Sequence, residues 1–108
     1  MSINDRAGVL IPLTAGNMRN NHIYVRAAKH LVPAGSLGGS NSESAGDNLT
    51  VSFLPGETVD TDIDATKMIF RNRSAVADFF KRTGASEGDH AIIHRVGPHS
   101  LEVSLLRK

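Results

Sequence analysis

The stretch TAGNMRNNHIYVR, Thr14 to Arg26, crowds Asn17, Arg19, Asn20, Asn21 and His22 into six positions. Side chains of these types can read nucleic acid: Asn suits the adenine edge, and Arg suits guanine or a phosphate. Asparagines also suit turns with unusual backbone angles, so composition leaves both uses open. A second polar break, DATKMIFRNR, holds Asp64, Thr66, Lys67, Arg71, Asn72 and Arg73. Two base-containing breaks in a small domain suggest a grip from two sides. The plainer account is two exposed turns.

Asp60, Asp62 and Asp64 alternate along one strand-like run. Hard divalent cations want carboxylate oxygens, and the spacing resembles the start of a calcium loop. That loop needs Gly at its sixth position and an acid at its twelfth, where this chain has Ala65 and Arg71. A metal-dependent nuclease core would place lysine two residues after the acid, whereas Lys67 follows Asp64 by three. The expectation is a solvated strand face whose charges pair with nearby arginines. Among the histidines, His90 and His94 share a strand face, without a cysteine or a third close ligand, so exposed histidines are expected and no metal. AGSLGGSN has neither the Lys-Ser/Thr nor the helix of a phosphate loop. No Gly-x-Ser-x-Gly elbow is present. We therefore expect no enzyme, no cofactor and no small-molecule substrate.

At 108 residues one domain, 1–108, is the default. The absence of cysteine rules out disulfides and thiolate chemistry and fits a reducing cytoplasm. The opening MSINDRAG lacks a basic region followed by an apolar run, so no signal peptide is expected. No apolar run approaches the ~18 residues of a membrane span. With 12 Lys+Arg against 11 Asp+Glu, the net charge is +1. That excludes a protein that coats nucleic acid by bulk charge, but a local cluster suffices for specific binding.

The elements that would position these residues follow from periodicity. VLIPLT alternates Val9, Ile11 and Leu13, and Pro12 makes it an edge or bulged strand. HIYVR sets Ile23 and Val25 against His22, Tyr24 and Arg26. AAKHLV predicts a short helix stopped by Pro33, and PAGSLGGSNSESAGDN reads as a long loop. LTVSF, TVDTDID and MIFR read as strands. SAVADFFKRTG predicts a helix with Val76, Phe79, Phe80 and Thr83 inward, Ser74 as N-cap and Gly84 just past its end. HAIIHRV and LEVSLL form a hairpin around GPHS. The sum is a mainly β fold of seven short strands and two short helices, a small open barrel.

The order of these elements, with ADFFKRTGASEGDHAIIHRV entering a strand through Gly88 and Asp89, resembles the B3-like DNA-binding pseudobarrel. That fold is shared by plant B3 domains and the effector-binding domain of EcoRII-type restriction endonucleases. The aromatic-rich stretch of plant members before the second helix is absent, so the prokaryotic branch is the nearer likeness. The resemblance implies double-stranded DNA gripped in the major groove by two arms. By position, the N-arm is Asn17, Arg19, Asn20, Asn21 and His22. The C-arm is Asp64, Thr66 and Lys67, with Arg71 and Arg73 on phosphates. The acidic run before the C-arm is unusual for a DNA face. The alternative expectation is a regulatory or protein-interaction barrel that binds no DNA, which the low net charge and the Ser/Gly loop favour.

Overall fold

The structure is a computed structural model that describes residues 8–108. The leader reading of MSINDRAG falls almost wholly outside them. The fold is mixed α/β, with eight strands in two sheets. The first sheet has the order β1 (Val9–Pro12), β7 (His90–Gly97), β8 (Ser100–Leu106), β3 (Leu49–Phe53), β4 (Thr58–Thr61). The second is β2 (Leu37–Gly38), β5 (Ile63–Asp64), β6 (Ile69–Phe70). Two α-helices, α1 (Ala15–Asn20) and α2 (Arg73–Thr83), and three 3₁₀ turns complete the described chain.

Alternation builds the large sheet. Val9 and Ile11 of β1 lie opposite Ile93 and Ala91, and Leu49 and Val51 of β3 point the same way. Pro12 sits at the end of β1, an edge strand, where its missing N–H costs no ladder bond. The β7–β8 hairpin turns at Pro98–His99, and β8 runs parallel to β3. One apolar cluster fills the space between sheets and helices. Phe53, Phe70 and Phe79 meet in it at ring-centroid distances of 5.6 and 5.8 Å. Helix α2 buries the four residues that its periodicity predicts, Val76, Phe79, Phe80 and Thr83. It ends on Gly84 at φ 67°, where a side chain would be strained.

Several expectations are corrected. Among the described residues the strands number eight rather than seven. TVDTDID breaks at Asp62 into β4 and β5. HIYVR is no strand: it makes a single bridge, Tyr24 to Ile69. The long Gly/Ser loop contributes β2, which pairs parallel with β5. AAKHLV is a 3₁₀ turn, Arg26–Leu31, rather than an α-helix. Asn72, not Ser74, caps α2, its side chain accepting from the Ala75 N–H at 3.0 Å. The aspartates do not form one solvated face. Asp60 is exposed, but Asp62 and Asp64 are 2% and 7% exposed.

Candidate nucleic-acid interface

The N-arm is a helix. Thr14 and Asn17 form a capping box: the Thr14 hydroxyl accepts from the Asn17 N–H at 3.1 Å, and the Asn17 amide oxygen accepts from the Thr14 N–H at 3.2 Å. Asn21 closes the helix at φ 55°, a left-handed position that asparagine tolerates, and the His22 N–H reaches back to the Asn17 carbonyl at 2.9 Å. The Asn17 side chain is therefore occupied by the cap, while Asn21 ends the helix through its backbone. Arg19 and Asn20, in the last turn of α1, are exposed.

The C-arm is a tight turn between β5 and β6. Asp64 holds it from within, its carboxylate accepting from the Thr66 N–H at 3.0 Å and its carbonyl from the Met68 N–H at 2.7 Å. Met68 takes φ 58° and points into the core. Thr66 and Lys67 are left exposed at the tip. Asp64 thus shapes the turn and is not displayed to solvent.

Asp62 and Arg71 form a strut beneath the C-arm. Arg71 donates from Nε to Asp62 Oδ1 at 2.5 Å, and from Nη2 to Oδ2 at 3.0 Å and to the Gly39 carbonyl at 2.6 Å. The Gly46 N–H donates to Asp62 Oδ2 at 2.6 Å. The carboxylate raises the already high Arg71 pKa, chiefly by hydrogen bonding. Arg71, expected on phosphate, is turned toward Asp62 and ties the end of β6 to the Gly/Ser loop. The charge pairing expected of the aspartates is met at Asp62. The same pairing removes an acid from the outer surface.

The two arms adjoin. The Val25 N–H donates to the Met68 carbonyl at 2.8 Å, and Tyr24 bridges Ile69. Arg73 Nε donates to the Asn20 carbonyl at 3.2 Å, which joins the end of α1 to the start of α2. His22 lies at this junction. Burial lowers its pKa first, then the positive charges of Arg73 and Lys67, with Asp64 opposing. Its Nδ1 is 3.4 Å from the Tyr24 hydroxyl, and its Nε2 is buried without a hydrogen-bond partner.

Of the ten expected residues, Arg19, Asn20, Thr66, Lys67 and Arg73 are exposed. Asn17, Asn21, Asp64 and Arg71 support them, and His22 packs between. The sequence reading did not list Tyr24, although the alternation of HIYVR had already set it outward beside His22. The strut residue Asp62 was missed because a carboxylate's partner depends on tertiary placement. His90 and His94 stand on β7 opposite Leu106 and Glu102, away from the core. Among the described residues no group of three potential metal ligands occurs, and no helix is long and apolar enough to cross a membrane. Compared with family models, curated proteins and solved structures, the chain matches none.

Proposed function

We propose that the chain is a B3-like pseudobarrel that binds double-stranded DNA in the major groove without catalysis of its own. We infer that it works in the cytoplasm as the recognition part of a bacterial restriction or regulatory system. The fold reading is supported by the order of elements, in which one polar segment follows β1, a second precedes β6, and a helix and hairpin close the chain. One observation carries the function: Arg19, Asn20, Lys67 and Arg73 are exposed around one junction, while Asp62 and Asp64 beside it are buried. Lys67 and Arg73 beside two buried carboxylates suit phosphates, and Arg19 and Asn20 at a helix end suit base edges.

The test is selection from a randomised duplex pool at low salt, followed by sequencing of the bound molecules. A reproducible site is the expected result. Arg19→Ala should weaken binding to that site by about tenfold or more, given ~1–3 kcal/mol for a bidentate base contact, and binding to random DNA by less. Equal losses on both would restrict Arg19 to the backbone. A pool without enrichment would favour the protein-interaction reading. That reading has its own observation, an open cleft at the far end of α2 lined by Leu54, Pro55, Leu105 and the side chains of Arg82 and Arg107.

A further inference from the structure

Tyr24 is the single tyrosine of a chain without tryptophan, and the four phenylalanines are all buried. It is therefore the one exposed large aromatic among the described residues, at 40%. Its surroundings are unusual for an exposed ring. The backbone is pinned to Ile69 by the bridge. His22 packs T-shaped against the ring at 5.7 Å and 86°, with its Nδ1 3.4 Å from the hydroxyl. The His22 ring that holds it also feels the charges of Arg73 and Lys67. The result is an exposed aromatic surface at the junction of the two arms, held beside a histidine that lies within reach of Arg73 and Lys67.

A rigid exposed aromatic contributes little to a fully paired duplex, whose base faces are stacked on each other. Beside phosphate-binding cations it suits a base that has left the stack, because every base presents a π-face. We propose that Tyr24 is a stacking platform for an unpaired base, so that the preferred ligand is a DNA duplex with one nucleotide out of the helix. This rests on the DNA-binding reading and deepens it, since the backbone on either side of that base would lie along Lys67 and Arg73.

The protein carries its own probe, because its tyrosine emission comes from Tyr24 alone. Three ligands are compared: a paired DNA duplex, the same duplex with one unopposed thymine, and the single strand carrying that thymine. The duplex with the unopposed thymine should bind about tenfold more tightly than the paired duplex, as one base–aromatic stack allows, and should quench the emission more strongly. The ratio of the two affinities should survive Tyr24→Phe and fall to about one in Tyr24→Ala. Equal affinities for the two duplexes, unchanged emission on binding, or a ratio that persists in Tyr24→Ala would each overturn the proposal. Tightest binding to the single strand would also overturn it, replacing the duplex ligand by an open strand. If the paired duplex binds and the thymine adds nothing, only the stacking role falls. If no DNA binds, the DNA reading falls and the stacking role falls with it.

Discussion

Arg71 and Arg19 are the same side chain in opposite settings, one paired and half-buried, the other exposed. Arg71 is embraced by Asp62 and the Gly39 carbonyl, with 20% of its side chain exposed against 3% for Asp62. Removing one member of such a pair leaves a charge in poor solvent, which costs far more than losing a surface ion pair. Arg71→Ala should therefore lower the free energy of unfolding by about 3 kcal/mol in a urea titration. Arg82, paired with Asp78 on the exposed side of α2, provides the contrast. Arg82→Ala should cost far less, since an exposed pair of this kind contributes little. Similar losses at the two positions would show that the strut carries no special weight. Residue type could not separate these arginines, since what distinguishes them is a carboxylate nine positions away in the chain and a carbonyl in the Gly/Ser loop.

The Gly/Ser loop is an element in its own right, and its glycines explain how it fits. The Gly46 N–H reaches Asp62, and the Asp47 N–H donates to the Gly35 carbonyl at 2.7 Å. A Cβ on Gly46 would stand 2.6 Å from the Gly35 carbonyl oxygen, which is backbone and cannot swing away. Gly46→Ala should cost about 1–3 kcal/mol by forcing the loop off β5, and should speed amide exchange at Gly46 and Asp47. Unchanged exchange would mean that the loop absorbs the methyl without moving. None of this docking was legible in PAGSLGGSNSESAGDN, because β2 exists only by pairing with β5, about 26 residues on. Helix α1 was equally hidden: AGNMRN is one and a half turns long, buries no residue fully, and is held by its caps. Helix α2, β3 and the β7–β8 hairpin were legible because burial follows their own periodicity. The polar positions of the arms could be listed from sequence. Their division into Arg19, Asn20, Thr66, Lys67 and Arg73 outside, and Asn17, Asn21, Asp64 and Arg71 within, could not.

For the whole molecule the deciding quantity is charge distribution. A net charge of +1 gives little long-range attraction to a polyanion. On the DNA-binding reading the phosphate contacts come from Lys67 and Arg73, with Asp62 and Asp64 turned inward. Two phosphate contacts predict a slope of log K against log salt of about −1.8, from roughly −0.9 per neutralised phosphate. Raising salt from about 50 to about 200 mM should then weaken binding about twelvefold, a modest loss for a DNA-binding domain. Lys67→Ala should flatten the slope by about 0.9 and weaken binding to every sequence alike, since a phosphate contact carries no base information. Lys29→Ala, on the 3₁₀ turn after the N-arm, should leave the slope unchanged. A slope near −6 would require phosphate contacts well beyond these two. Because the field of this chain is so nearly neutral, the slope counts the cations of the interface itself.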